Sequence, residues 1–333
     1  MKKVLLSALV ISLAVFAVCA QGQKEGTVSG VKEYRLATDA ALDYPTTKAL
    51  VKFADRVEEL SQGKMKIKIY ESSILGDEVS YQEQLQLGTV DFAKLSIGTI
   101  NGLYQDLQVF NLPFLFKNGD EMWKVLNSEV GQWVLNGLNE YKIQGIGFTD
   151  NGSRCFYTKF PVNSIKDFSS KKIRVQANKI MTSMVKGLGG NPVNVSANEV
   201  YSALQTGVAD GGENNMNTIL TESYYEIAKY VTLDNHTTGM DVICCNLDLW
   251  KSFSDSEKAI IKQAMAEATT YDRQIWNESI NAALKKLADN GAVISTPSNE
   301  VLDSFRNAMA PLYSEYSPKL GKWIDAINKV LGR

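Results

Sequence analysis

Between Ser254 and Asp289 the chain carries neither glycine nor proline. Ser254 followed by Glu257 makes a capping box at one end, and Gly291 supplies a stop at the other. As a helix this segment is about 50 Å long, more than one compact lobe needs. A helix that long could brace two lobes, and 333 residues suit either one large domain or two modest lobes.

The rest of the chain alternates between two periods. Residues 34–38 read as a strand. Pro45 then opens a helix with Ala49, Phe53, Val57 and Leu60 on one face, closed by Gly63. Met65, Ile67 and Ile69 alternate with Lys64, Lys66 and Lys68, the period of a strand. A helix over 78–86 and a strand over 90–95 follow. Further strands are predicted at 143–149, 172–176, 192–195, 208–213, 230–234 and 241–245, with a helix at 198–205. A short strand near Val293, then Pro297 and two helical stretches, end the chain. Repeated strand–helix–strand predicts an α/β fold with a mainly parallel sheet covered by helices. No Pro/Ser linker separates the lobes, so several crossing strands are expected to join them.

The first twenty residues read as an address. Lys2 and Lys3 precede an uncharged apolar run ending near Ala20, and the polar stretch Gln21-Gly-Gln-Lys-Glu25 follows. Val18-Cys19-Ala20 suits cleavage before Gln21, giving a free periplasmic protein. Alternatively Cys19 is lipidated and anchors the chain, or the run stays in place as an anchor helix. Residues 21–32 read as a polar tether.

Composition narrows the chemistry. With 35 basic and 37 acidic side chains the net charge is −2, so no bulk field recruits nucleic acid. One histidine, His236, excludes a multi-histidine metal site, and any Ser-His-Asp machine must run through it. No Walker loop, G-x-G-x-x-G, C-x-x-C or H-E-x-x-H occurs. Asp234 and His236 have no second ligand cluster at matching spacing, so no metal and no cofactor are expected. Cys155, Cys244 and Cys245 read as small core hydrophobes, with a bridge from Cys155 to one of the others left open. Gly187-Leu-Gly-Gly190 reads as a helix stop.

A set of polar residues remains at the carboxyl ends of predicted strands, where open α/β sheets bind ligands. Arg174 interrupts Ile173-Arg-Val175. Arg154 follows the strand ending near Thr149, Lys94 and Ser96 end another, and Asp210-Gly-Gly-Glu-Asn-Asn215 follows Val208. An arginine fork matches a carboxylate in two parallel hydrogen bonds, and asparagine amides both donate and accept. Each residue also has a plainer reading. Arg174 suits a solvent-facing edge strand, Asn214 and Asn215 suit a left-handed turn, and His236 suits a satisfied core position. Residue types and spacing alone reach an exported two-lobed α/β protein with a candidate anion site.

An ordered set of segments resembles the solute-binding proteins of TRAP transporters, the DctP type. It comprises Gly63-Lys-Met-Lys-Ile-Lys-Ile69, Ile74-Leu-Gly-Asp-Glu78, Leu87-Gly-Thr-Val-Asp-Phe92 and Leu112-Pro-Phe-Leu-Phe116. It continues with Ile165-Lys-Asp-Phe168, Lys172-Ile-Arg-Val175, Glu199-Val-Tyr-Ser-Ala-Leu-Gln205 and Gly207-Val-Ala-Asp-Gly211 with Glu213-Asn214. Together they run from about residue 34 to 330. The resemblance implies a two-lobed periplasmic binding protein of the type II kind, each lobe a mixed sheet flanked by helices. Residues 33–151 with about 240–275 would form one lobe, and 152–239 with about 276–333 the other.

The resemblance also implies roles. It places the carboxylate-binding arginine at Arg174, a second arginine at Arg154 and the site asparagine at Asn214. Glu213 and His236 would support Arg154 from behind. From the first lobe, Asp39, Glu78, Lys94 and Ser96 match positions that tune selectivity, and Glu78, Lys94, Asn214 and Asn215 could supply hydrogen bonds to sugar hydroxyls. The implied function is capture of an organic acid and delivery to the small and large membrane subunits of a sodium-coupled permease, by a monomer. The run 210–215 with Leu233-Asp-Asn-His-Thr237 looks like the uronate-binding branch, so D-glucuronate or D-galacturonate is the expected ligand. Tyr44 before Pro45 and Asn194-Val195 depart from common patterns, which keeps dicarboxylates, keto acids and aromatic acids as alternatives. Further alternatives are an enzyme on the same scaffold using Lys94 or His236, a structural surface lipoprotein, and a binding protein for an ATP-driven transporter. The first lacks a paired nucleophile and base.

Overall fold

The computed structural model describes residues 30–333. The leader readings on residues 1–20, including Cys19, and most of the tether lie outside the described residues. Among the described residues nine strands form one continuous sheet: β1 (Lys32–Ala37), β2 (Met65–Tyr70), β3 (Phe92–Ser96), β4 (Ile143–Thr158), β5 (Lys172–Val175), β6 (Asn191–Asn194), β7 (Gly211–Asn214), β8 (Tyr230–Asn246) and β9 (Val293–Ser295). Their order is β2-β1-β3-β8-β4-β7-β5-β6, with β9 on β8.

The outer pairs β1–β2, β1–β3, β5–β6, β5–β7 and β8–β9 are parallel. The centre is antiparallel: β8 pairs with β3 and β4, and β4 with β7. The expectation of a mainly parallel sheet thus holds toward the edges and fails in the middle. The difference arises because β4 and β8 are much longer than expected, at 16 and 17 residues. Each runs from one lobe into the other. Their polar middles, Asn151-Gly-Ser-Arg154 and Asp234-Asn-His-Thr237, look like loops because strand alternation is lost there. In the fold they stay extended, with Arg154 opposite Thr237 and Ser153 opposite Thr238, across register shifts.

Helices cover both faces. Pro45–Leu60 buries Ala49, Leu50, Phe53 and Val57 as its periodicity demands. Glu78–Leu87 starts at Asp77, whose side chain accepts the Ser80 N–H, and stops at Gly88 in the left-handed region. The long helix is Asp255–Asp289, with the Ser254–Glu257 capping box in place. It buries Ile261, Ala264, Met265 and Ala268 against the first-lobe core and Ala283 and Leu287 against the second. It braces both lobes, as its length requires.

One expected assignment changes. The resemblance assigns residues from about 276 to 333 wholly to the second lobe. The helix Asn299–Ala308 does pack Phe305 there. The last helix, Ala310–Leu331, returns to the first: Trp323 meets Phe110, Trp133 and Tyr104 edge-on, and Leu320 and Ile327 join the same core. Its apolar face matches the hydrophobic surface left by residues 104–138, which sequence order alone does not disclose.

Candidate functional site

Arg174 lies on β5, between β6 and β7, and is 2 % exposed. The solvent-facing edge-strand reading is therefore overturned, because β6 forms the edge. Its Nε and Nη2 donate to the Val195 carbonyl at 2.9 and 2.8 Å. Among the described residues no hydrogen bond engages Nη1. The side chain borders a cleft of about 290 Å³ between the lobes, with Asp39, Glu78, Lys94 and Ser96 on the first-lobe wall and Arg154, Gln176 and Asn214 on the second. A compartment of about 160 Å³ continues past Arg174 between Val79 and Val195.

Arg154 is bound up by its neighbours. Nε and Nη2 donate to the Glu213 carboxylate, Nη2 donates to the Glu213 carbonyl at 2.8 Å, and Nη1 donates to Asn214 Oδ1 at 3.1 Å. β4 and β7 set this geometry by pairing Phe156 with Glu213 and Cys155 with Asn214. Behind Glu213, His236 places Nε2 3.5 Å from Oε2 and holds Asp234 Oδ2 through Nδ1 at 2.8 Å. At 3.5 Å the Glu213 contact is a charge pair and not a good hydrogen bond. Burial alone would raise the Glu213 pKa, but Arg154 and His236 outweigh it and hold the carboxyl at about 2. Burial likewise works against the imidazolium, yet Asp234 and Glu213 lift His236 to about 9. Neither Glu213 nor His236 lines the cleft.

The first-lobe wall is a buried acid–lysine cluster. Lys94 Nζ lies 2.6 Å from Asp39 Oδ1 and 4.0 Å from Asp241 Oδ1. Burial opposes its charge, but Asp241, Asp39 and Glu78 together keep it well above the ordinary lysine value. Glu78 accepts the Ser96 N–H, the Ser96 hydroxyl at 3.1 Å and the Thr99 hydroxyl at 3.2 Å. Burial pushes Glu78 up to about 7 despite Lys94, with Asp39 and Asp241 adding to the rise. Asp241 rises to about 6 for the same primary reason, against the pull of Lys94 and of the Asn151 amide.

Asn215 departs from expectation. It does not border the cleft but sits behind it. Its Oδ1 caps the helix Met216–Thr221 through Thr218 N–H at 2.9 Å, and its Nδ2 donates to Tyr44 Oη and to both oxygens of Asn151. An asparagine that ends a strand and starts a helix is claimed by the cap. The left-handed-turn reading also fails, because Asn215 has extended backbone.

Asn151, Gln176 and Asp241 also line the cleft, as does Tyr44, one of the positions at which the sequence departs from the common pattern. Gln176 and Asp241 flank Arg174 and the β8 crossing, so the strand-end argument that selected Arg174 would have reached Gln176. Asn151 follows the predicted strand ending near Thr149 and carries the same signal, whereas Tyr44 ends no strand. Cys155, Cys244 and Cys245 are free and buried, and burial drives all three thiols upward.

The model for bacterial extracellular solute-binding proteins, family 7 (DctP), matches residues 36–319. The chain belongs to this family. A solute-binding protein of Chromohalobacter salexigens is 32% identical over 276 residues, covering 82% of this chain and 81% of the relative. A TRAP periplasmic solute-binding protein of Roseobacter denitrificans, solved with β-D-glucuronate, superposes with a TM-score of 0.86 at 31% identity, over 89% of this chain and 99% of that one. One from Xanthobacter autotrophicus, solved with β-D-galacturonate, gives 0.84 at 33% identity, over 89% and 98%. This DctP-type chain is thus a TRAP solute-binding protein with the two-lobed fold, and its family binds solutes for transport without turning them over. No helix among the described residues is long and apolar enough to cross a membrane.

Proposed function

We propose that this protein captures a hexuronate, D-glucuronate or D-galacturonate, and delivers it to the small and large membrane subunits of a sodium-coupled TRAP permease. One observation carries the reading. Arg174 is buried at the cleft with part of its guanidinium on a single backbone carbonyl, leaving donors for a carboxylate. Arg154, whose nitrogens are engaged by Glu213 and Asn214, shapes the wall and lends charge. Glu78, Lys94, Ser96, Asp39 and Asn214 offer the mixture of donors and acceptors that sugar hydroxyls need. The glucuronate and galacturonate held by the similar structures support the same class.

Closure of the lobes at the crossing of β4 and β8, near residues 151 and 240, would exclude water and strengthen the ion pair. We read residues 1–20 as the export leader, with cleavage before Gln21 or lipidation of Cys19, and the working form as a monomer. Thermal shift against uronates, their neutral parent sugars, dicarboxylates and aromatic acids tests the reading. A shift with uronates and none with glucose or galactose is expected. Shifts with other acids alone would discard the uronate assignment and retain carboxylate capture.

A further inference from the structure

The point where β4 crosses between lobes is held from outside the cleft. Asp150 is pinned on every side. Its N–H donates to Asp272 Oδ2 at 2.6 Å, and its carbonyl accepts the Thr46 hydroxyl at 3.1 Å. Its carboxylate accepts Gly152 N–H at 2.8 Å and the Trp123 indole N–H at 2.9 Å. Thr46 and Trp123 belong to the first lobe, and Asp272 to the middle of the long helix. Asp150 therefore moves with the first lobe.

The next residues are free to turn. Register with β8 shifts between Asp150 and Ser153, and Gly152 has φ +65°. A Cβ on Gly152 would stand 2.7 Å from Trp276 Nε1, and one on Gly239 across the ladder would stand 3.1 Å from the Gly152 carbonyl. Two glycines thus face each other where the two strands cross, with the long helix immediately behind. Asp272 and Trp276 lie one turn apart on that helix, both fully buried. Asp272 Oδ1 and Trp276 Nε1 have no hydrogen-bond partner among the described residues. Unpaired buried polar groups cost free energy, so each one in a native structure calls for an explanation.

We propose that Asp272 is a positioning residue for lobe closure: its carboxyl fixes the end of the first lobe at Asp150, so that the turning point is confined to Asn151–Gly152. Asp272 touches no part of the cleft, and it acts by defining where the crossing strand bends. The charged and titratable groups acting on it are Asp150 and Asp241, and burial is the main reason its carboxyl is raised to about 8. Burial thus favours the neutral form of this clamp, which spares a further negative charge beside those two. Without it the Asp150 N–H loses its partner and the bend is no longer confined to one dipeptide.

The test reads the lobes directly. Spin labels at Lys66→Cys and Lys186→Cys, both exposed and on opposite lobes, report the interlobe distance in a Cys19→Ser background, the three remaining cysteines being buried. Asp272→Ala is expected to broaden the ligand-free distance distribution. It should also raise the Kd for D-glucuronate by about tenfold, as when the closure-competent fraction falls to a tenth. Asp272→Asn, which keeps an acceptor oxygen, is expected to retain both wild-type readouts. A cooperatively melting Asp272→Ala protein with the wild-type distribution and affinity overturns the proposal. If that variant does not fold, Gly152→Ala decides, because its Cβ must displace Trp276 and an unchanged distribution would remove the hinge from this position. The affinity arm rests on the uronate reading. If wild type ignores D-glucuronate that reading falls, while the ligand-free distributions still judge Asp272.

Discussion

The Glu213 carboxylate stands between Arg154 and His236, and its Oε2 faces both. Three buried charges in a row are stable only because the outer pair is positive and the far imidazole nitrogen is held by Asp234. His236 is therefore charged at neutral pH, with its pKa lifted from 6.5 to about 9. A raised basic group contributes stability that is complete below its unfolded pKa and is lost as the pH rises through the folded one. Thermal melting should fall between pH 6.5 and about 9, by an amount on the order of 3 kcal/mol at most. His236→Asn should melt lower at pH 6 and show little of this slope. A slope unchanged in the variant would mean that another group carries it.

Arg174→Ala should weaken ligand binding by about 2–5 kcal/mol, because the acid's carboxylate would be buried without its partner. Arg174→Lys should also bind poorly. An ammonium cannot donate to the Val195 carbonyl and to a carboxylate with the same planar fork. Calorimetric titration with D-glucuronate measures both, and wild-type affinity in either variant would remove Arg174 from the site.

Glu78 gives the cleft its own pH response. Its carboxyl, raised to about 7, is part protonated at neutral pH. An arriving anion favours the neutral form, so binding should take up protons, and affinity should decline as the pH rises through 7 by no more than about tenfold. Titrations in buffers of different ionisation enthalpy would reveal the uptake. Glu78→Gln should abolish it.

Asn215→Ala removes a helix cap and a bridge to Tyr44 and Asn151 in one step. The cap alone is worth about 1 kcal/mol of stability. The melting temperature should drop in the ligand-free protein. Because Asn215 does not border the cleft, any loss of affinity should be much smaller than for Arg174→Ala. Equal losses in the two variants would put Asn215 back among the ligand contacts.

Local signals were the most legible. The Ser254–Glu257 box, the Pro45 start and the Lys64–Ile69 alternation each depend on neighbours within a turn or two, and each appears as read. Arg174 was found because an arginine inside a β-branched run is anomalous in itself. What stayed hidden depends on distant partners. Asn151 to Arg154 look like a loop until Glu213, 59 residues beyond Arg154, supplies the countercharge that lets an arginine lie inside a sheet. The polar middle of β8 is extended for the same reason, with Asp234 and His236 satisfying each other and Asp241 satisfied by Asn151. Asn215 shows the opposite failure. Its position beside Asn214 suggested a ligand contact, while the cap it forms was the stronger local claim.

The return of the last helix to the first lobe has a consequence for how the chain comes to be folded. The surface around Phe110 and Trp133 is covered by Trp323 and Ile327, and β3 completes its pairing only with residues 241–245. Without residues 241–245 and the helix Ala310–Leu331 the first lobe has an unfinished sheet and an uncovered apolar face. Contacts of such long sequence separation fold slowly. The first lobe therefore closes around contacts between widely separated residues, and its completion waits on them.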